Sequence, residues 1–272
     1  MADRSDSLVR WPSYVLLAIT IATATFLFAP LVIVIIQSFT DATYLAFPPP
    51  SFGTRWYEDV VTADEWRDAF RTSIAVAVLV TPLSLVIGTM AALGLDRGPL
   101  RGRRTLFAIL VAPMILPHIV LGLALFRVAL YLQATDSIAA YTIAHLTITV
   151  PYVVITVGAS LQNFEISLEE AARSLGASPV RALLHVTLPI IRPGLIGGAI
   201  FSFIISFDEF IITFFLSTFE LTLPIQIFST LMFQVEPSIA AVSTLMLAFT
   251  ALLTLLLMWR GQIVSKDGSI IG

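Results

Sequence analysis

The 272-residue chain is 57% hydrophobic and only 12% charged, with a formal net charge of −3 at pH 7. A soluble domain carries about twice that charged fraction, so the composition excludes an ordinary soluble protein and indicates a membrane protein. No basic cluster is large enough to suggest a nucleic-acid partner. The absence of cysteine excludes disulfides, thiolate metal sites and cysteine nucleophiles, and the three scattered histidines form no metal-binding pattern.

Long apolar runs predict membrane-spanning helices, because a helix needs about 20 apolar residues to cross the hydrocarbon core. Six stretches qualify, at about Pro12–Phe39, Arg71–Leu95, Thr105–Leu130, Ile138–Leu161, Pro193–Leu216 and Ile239–Trp259. The first is too long for a signal peptide and no small-residue cleavage site closes it, so we expect it to remain as a helix. We find no internal repeat, and therefore predict an all-α membrane protein with six transmembrane helices in a single domain over residues 1–272.

The distribution of charge predicts the orientation of these helices. The first long loop, Thr40–Phe70, is mainly acidic, whereas the short next loop, Asp96–Arg104, contains four arginines. Three more arginines lie in Gln162–Arg192, and Arg260 and Lys266 follow the sixth span. Because cytoplasmic loops are enriched in arginine and lysine, the basic loops and both termini are expected to be cytoplasmic.

The segment Gln162–Arg192 has the local signals of a helix near its start. Ser167 and Glu170 have the spacing of a capping box, in which Ser167 is the N-cap and Glu170 bonds back to it. Glu169 and Arg173 are spaced for an ion pair on the same helix.

Later residues of the same segment predict a second short helix. Gly176 is expected to end the first helix, and Ser178 with Pro179 supplies an N-cap and a first helical residue for the next. Pro189 and Pro193 are expected to end that second helix. The pattern thus predicts two short cytoplasmic helices in an L, and a simple amphipathic surface helix remains the alternative.

The same segment closely resembles the EAA signature of binding-protein-dependent ABC importer permeases, which is E-A-A-x3-G-x9-I-x-L-P. The matching residues are Glu170, Ala171, Ala172, Gly176, Leu188 and Pro189, with Val186 in place of isoleucine. The wider resemblance covers a permease core at about residues 70–259, and the coupling loop is residues 162–192.

The resemblance implies the type I ABC importer transmembrane fold and a location in the bacterial inner membrane. It implies that the loop is a coupling helix that docks on an ATPase subunit. It also implies a second homologous permease, two ATP-binding cassette ATPases and an external solute-binding protein. The chain has no G-x-x-x-x-G-K-[ST] motif, so ATP and magnesium are expected on the partner ATPase and this chain is not expected to be an enzyme.

The sequence Ser206-Phe207-Asp208-Glu209-Phe210 in the fifth span resembles the spermidine/putrescine branch of this family. That resemblance implies a polyamine substrate, while an amino-acid derivative or an iron complex remains the alternative. Acidic side chains inside a membrane helix are costly, and they indicate a functional site by default. The sequence does not decide whether Asp208 or Glu209 contacts the substrate.

Helical spacing places polar residues on one face of two spans. These candidate path residues are Ser202, Ser206, Glu209 and Thr213 in the fifth span, and Tyr141, His145, Thr149, Tyr152, Thr156 and Ser160 in the fourth. We interpret the two stripes as the lining of one water-filled path, with hydrogen bonding between helices as the alternative.

Within this path, Glu209 with Tyr141 or Tyr152 is suited to an ammonium group by charge and cation–π contact. Asp208 falls on another face of a continuous helix, and is expected to pair with another helix or with a partner subunit. His118, which follows Pro117, is assigned to a helix break or to packing.

Two other classes of protein remain as alternatives. A self-contained secondary transporter is expected to contain internal repeats and helices broken at the midplane, and the sequence shows neither clearly. An assembly or signalling membrane protein has no reason to carry the EAA signature. We therefore favour a permease subunit that depends on a separate ATPase.

Overall fold

Helices dominate the computed structural model, which describes residues 13–233 and 235–267. They are α1 (Ser13–Ser38), α2 (Arg55–Thr62), α3 (Asp64–Arg97), α4 (Arg103–Val111), α5 (His118–Tyr131), α6 (Ile138–Gln162), α7 (Ile166–Ser174), α8 (Pro179–Ala182), α9 (Leu188–Ile190), α10 (Arg192–Phe207), α11 (Ile211–Leu216), α12 (Leu223–Phe233) and α13 (Ser238–Asp267). A 3₁₀ turn, Ala112–Met114, follows α4, and a π-helical turn, Leu183–Thr187, joins α8 to α9.

The chain divides into two compact units. The first contains the described residues of Met1–Thr62 and of Thr230–Met246. Within it, the Ser38 and Tyr57 hydroxyls lie 2.5 Å apart, and the Trp56 indole N–H donates to the Ala42 carbonyl at 2.9 Å. These bonds hold the loop after α1 against α2, while most side chains of α1 are exposed and apolar, as suits contact with lipid or with another chain.

The second unit is built on the mutual packing of α3, α6 and α10. Small residues allow this close approach. A Cβ atom added at Gly88 of α3 would lie 2.5 Å from Val153 Cβ of α6, and one at Gly194 of α10 would overlap the Ser160 side chain of α6. Membrane helices commonly associate through small residues in this way.

Buried apolar side chains fill the second unit in two clusters. One cluster joins α3, α6 and the short helix α11 around Val76, Tyr141 and Ile212. The other joins α3 and α6 to the start of α10 around Val157 and Ile191. In addition, α5 packs against α11.

The described residues contain four continuous helices that are long and apolar enough to cross a membrane, and six spans if each of two bent pairs counts as one. The continuous spans are Tyr14–Ser38, Asp64–Arg97, Ile138–Gln162 and Ser238–Trp259. This agrees with the predicted all-α fold of six spans. Pro12, the predicted start of the first span, lies outside the described residues, as do the terminal residues of both predicted cytoplasmic ends.

The predicted third span, Thr105–Leu130, is not one continuous helix. Its two parts, Arg103–Met114 and His118–Tyr131, are bent by 94°. Pro117 explains the break, because proline lacks an N–H donor and disfavours helical geometry in the residue before it.

The predicted fifth span, Pro193–Leu216, is also discontinuous. Helix α10 ends at Phe207 and α11 begins at Ile211, while the segment before α10, Pro179–Ile190, is bent by 73° from it. The sequence did not clearly show these breaks, and broken helices therefore do not separate this chain from a secondary transporter.

Candidate substrate path and coupling loop

The coupling helix α7 begins earlier than the sequence predicted. Its N-cap is Glu165, without a side-chain capping bond, so Ser167 lies inside the helix and the predicted capping box is wrong. Glu169 also has a different partner, because its carboxylate lies 2.5 Å from the Arg97 guanidinium instead of pairing with Arg173. A contact between distant elements has thus replaced the expected local bonds.

The end of α7 has the predicted geometry. Gly176 has φ +93°, and its N–H donates to the Arg173 carbonyl while the Ala177 N–H donates to the Ala172 carbonyl. This pair of bonds is a Schellman motif, which requires a left-handed residue that glycine adopts most easily.

The next helix also begins as predicted, but it continues further. Ser178 caps it by accepting the Arg181 N–H at 3.3 Å, and Pro179 is its first residue. Pro189 does not end this second helix. The π turn Leu183–Thr187 widens the helix just before Leu188 and Pro189, and the chain remains helical up to Ile190.

The EAA residues of α7 and its turn form an exposed surface. Glu170, Ala171 and Gly176 are exposed, and Leu175 between them is 91% exposed. An open depression of about 450 Å³ lies beside them, lined by Glu170, Arg173, Ser174, Ala177 and Pro179. Ile166, Leu168 and Val180 of the same loop are also exposed, so the loop presents several apolar side chains on its surface.

The other predicted coupling residues lie partly inside the chain. Ala172 is half-buried, and Pro189 is exposed. Leu188 packs against the buried cluster around Val157 and Ile191, so it anchors the loop to the start of α10.

The break between α10 and α11 contains both candidate acids. Glu209 is 6% exposed, and its Oε1 accepts the Ile212 N–H at 2.9 Å, so this carboxylate caps the start of α11. Its Oε2 lies 3.4 Å from Nδ1 of His118, the first residue of α5. Asp208 lies at the end of α10 and is exposed. The predicted continuous helix is wrong here, because α10 ends at Phe207 and α11 begins at Ile211. Glu209 is nevertheless buried like Ser202, Ser206 and Thr213, whereas Asp208 is exposed.

The predicted polar stripe of α6 is largely engaged in bonds between helices. His145 is fully buried, with Nδ1 2.9 Å from the Ser206 hydroxyl and Nε2 2.8 Å from the Thr213 hydroxyl. Thr149 bonds the Ser84 hydroxyl at 2.6 Å. These bonds join α6 to α3, α10 and α11, as hydrogen bonding between helices, the alternative interpretation of the stripe, requires.

The two candidate tyrosines also have partners. The fully buried Tyr141 hydroxyl lies 3.1 Å from the Asp136 carboxylate and 2.9 Å from the Glu220 carbonyl, so its single proton is shared between these two acceptors. Tyr152 is half-buried and stacks on Phe201 at 5.8 Å between ring centroids. Ser202 is fully buried, and its hydroxyl has no hydrogen-bond partner among the described residues. The described residues also contain no group of three or more His, Asp or Glu suited to a metal ion.

The partners of these residues were not predicted from the sequence. His118 does follow a helix break, but its contact with Glu209 was not foreseen. Asp136 and Arg97 were not singled out either. The only available signal for Arg97 was its position in the basic loop after the second span, which does not identify a partner.

Comparison with known proteins agrees with this architecture. A family model described as "Binding-protein-dependent transport system inner membrane component" matches residues 84–267. The chain is 32% identical over 231 residues to the putrescine transport system permease protein PotI of Escherichia coli strain K12, covering 82% of each protein. It is 28% identical over 248 residues to the spermidine/putrescine transport system permease protein PotC of the same strain, covering 90% of this chain and 92% of PotC.

A solved structure shares the fold at low sequence identity. A chain from a bacterial ABC transporter involved in the import of the acidic polysaccharide alginate superposes with a TM-score of 0.71 and 17% identity, covering 95% of this chain and 98% of that one. The family match covers well over half of the sequence, and the fold is shared over nearly all of it. The chain therefore belongs to the binding-protein-dependent transport system inner membrane components, the membrane-spanning permease subunits of ABC importers.

Proposed function

We propose that this permease subunit carries polyamines such as putrescine and spermidine into the cell. The observation that carries this proposal is the pair of carboxylates, Asp208 and Glu209, at the interruption of the fifth span. The names of the relatives PotI and PotC, which share most of their length with this chain, support the same substrate class.

The carboxylate of Asp208 is exposed and therefore accessible to a cationic substrate. A dication passing through a low-dielectric protein needs its charge balanced, because burying an unpaired charge is very costly. The Glu209 carboxylate lies next in sequence, already held by His118 and the Ile212 N–H, and a substrate ammonium would compete with His118 for it. The remaining candidates, Ser202, Ser206, Tyr141, Tyr152 and His145, join the path only when the helices that now enclose them separate.

We further propose that residues 162–192 form the coupling loop that docks on a separate ATPase subunit. The 91% exposure of Leu175, beside the exposed Glu170 and the turn at Gly176, supports such a partner. An exposed leucine would otherwise leave apolar area in water, at roughly 25 cal/mol for each Å². The partner ATPase binds ATP and magnesium, so the chain itself performs no bond chemistry.

The rest of the assembly follows from the importer family. The arginine-rich loops and both termini face the cytoplasm, where the ATPases lie. A second permease subunit completes the path, and an external solute-binding protein delivers the polyamine from the opposite side. In the cycle, ATP-driven closure of the ATPases draws the coupling loops together and opens the path outward, and hydrolysis resets it.

Charge-reversal and turn variants test the coupling role. In complexes reconstituted with both ATPases, the second permease and the binding protein, Glu170→Arg and Gly176→Val should abolish stimulation of ATP hydrolysis by loaded binding protein. Gly176→Val is strained because an ordinary residue pays about 1–2 kcal/mol for left-handed geometry. Glu220→Arg, a matched reversal at an exposed carboxylate outside the coupling loop, serves as the control. Normal stimulation in both Glu170 and Gly176 variants would refute this role.

Charge-removing variants test the substrate class. Asp208→Asn and Glu209→Gln keep the side-chain shape and should each lower ATP-dependent putrescine uptake per assembled complex by roughly tenfold, about the effect of losing one charge-assisted hydrogen bond. Putrescine binding to the external protein should not change. Glu220→Gln removes an exposed charge elsewhere and serves as the control. Unchanged uptake in both variants would remove the physical support for a cationic substrate.

A further inference from the structure

A cluster of three polar residues joins the coupling helix to two membrane spans. Arg97 is the last residue of α3, Glu169 lies within α7, and Thr187 ends the π turn that leads into α9 and α10. The Glu169 carboxylate lies 2.5 Å from the Arg97 guanidinium and accepts a hydrogen bond from the Thr187 hydroxyl at 2.6 Å. Arg97 also lies 3.4 Å from that hydroxyl, which closes the cluster.

The cluster is sheltered from solvent, unlike most of the surrounding loop. The side chains of Arg97 and Glu169 are 22% and 14% exposed, and Thr187 is fully buried. Burial opposes ionisation of Glu169, but the hydrogen bonds from Thr187 and Arg97 outweigh it and lower the pKa of this carboxyl. The Arg97 guanidinium also lies over the Phe164 ring, 5.4 Å from its centroid. The carboxylate is therefore charged and held from two sides.

The neighbouring acid has a different environment. Glu170 is exposed on the face that borders the depression, whereas Glu169 points back to α3 and the π turn. Glu170 is thus available to contact the proposed partner, whereas the adjacent Glu169 attaches α7 to α3 and to the π turn. A partly buried, charge-assisted contact resists displacement much more than an exposed ion pair does.

We infer that Glu169, through Arg97 and Thr187, is the positioning residue that transmits movement of the coupling helix to the second and fifth spans. This inference rests on the proposed coupling role of α7. Without the cluster, α7 can still dock on the ATPase, but its displacement is no longer imposed on α3 and α10. Loss of the cluster should therefore separate ATP hydrolysis from transport.

A double-mutant cycle in the complete reconstituted transporter tests this inference. Glu169→Gln and Arg97→Gln should each lower the amount of putrescine transported per ATP hydrolysed by roughly tenfold, the scale of one hydrogen bond to a charged group. The double variant should be no worse than either single variant, because both remove the same interaction. Glu65→Gln, an exposed acid in the first turn of α3 and outside the coupling loop, is the matched control and should transport normally.

Two results would overturn the inference. If the variants lower only the amount of assembled complex, while transport per ATP in assembled complexes stays normal, the cluster is structural. If the two single effects add in the double variant, the residues act separately. Gly176→Val in the same assay tests the proposed coupling role of residues 162–192 separately. Normal transport per ATP hydrolysed in that variant would count against the coupling role itself, and not only against the Glu169 cluster.

Discussion

Asp136 should stabilise the turn that follows the fifth span. Its carboxylate accepts the backbone N–H groups of Thr218, Phe219 and Glu220 at 2.9–3.1 Å, in addition to the Tyr141 hydroxyl. Burial opposes its ionisation, but these hydrogen bonds outweigh burial and lower the pKa of Asp136 below the ordinary 3.8. The turn has no helix or sheet to hold it, so the carboxylate is its main anchor.

Replacing this carboxylate by an amide should be costly. Asp136→Asn removes the charge and directs an N–H donor at the Phe219 N–H, so at least one charge-assisted bond is lost at about 2–3 kcal/mol. For a chain of this size that loss corresponds to a fall of roughly 5 °C in the unfolding midpoint. Thermal unfolding of the detergent-purified chain, followed by far-ultraviolet circular dichroism at neutral pH, measures it. Glu220→Gln, an exposed charge loss in the same turn, is the matched control.

The pH dependence gives a second check on the same residue. A carboxyl whose folded-state pKa is depressed contributes its stability above the ordinary value, and loses it as pH falls through the folded-state pKa. The difference in midpoint between wild type and Asp136→Asn should therefore be constant above the ordinary 3.8 and shrink below it. A difference no larger than that of Glu220→Gln, or one that persists at the lowest pH, would refute this account.

Two further predictions concern packing between the spans. His145→Phe should remove the partner of the buried Ser206 hydroxyl, while the Thr213 hydroxyl keeps its bond to the Glu209 carbonyl. The cost should be about 1–3 kcal/mol, measured as a lower unfolding midpoint in detergent, and an unchanged midpoint would contradict the bonding role. Gly194→Val should reduce the amount of folded chain recovered from membranes, because the larger side chain prevents α10 from approaching α6. Gly158→Ala, at a position with open space around it, should be recovered like wild type. Equal recovery of both variants would contradict the close-packing argument.

The elements of the coupling loop show how far local sequence determines structure. The end of α7 at Gly176 and the start of α8 at Ser178 were predicted correctly, because both depend on bonds within a few residues. The capping box at Ser167 was not formed, although its spacing was suitable. There the contact between Glu169 and Arg97 fixes the helix instead, and no local pattern indicates that partner.

The candidate path shows the corresponding limit for the membrane part. Helical spacing continues through Asp208 and Glu209 without proline or glycine, so the sequence predicted an unbroken helix. The break accompanies the cap that Glu209 provides to α11 and its contact with His118 of α5. Because such contacts join distant elements, the sequence indicated that the acidic residues are unusual but predicted neither the break nor the partners of Glu209.

Hydrogen bonds hold both ends of the fifth span, and they restrict how this span can move. The Glu169 cluster holds the π turn before α10, and Asp136 holds the turn after α11. Between them, the helical ladder is interrupted at Ile191 and again at Asp208–Phe210. Because an intact helix is stiff, we expect α10, about 24 Å long, to move as a rigid body about the interruptions at its two ends. Under the proposed coupling role, a short displacement at the loop would therefore move the interruption that contains the two carboxylates.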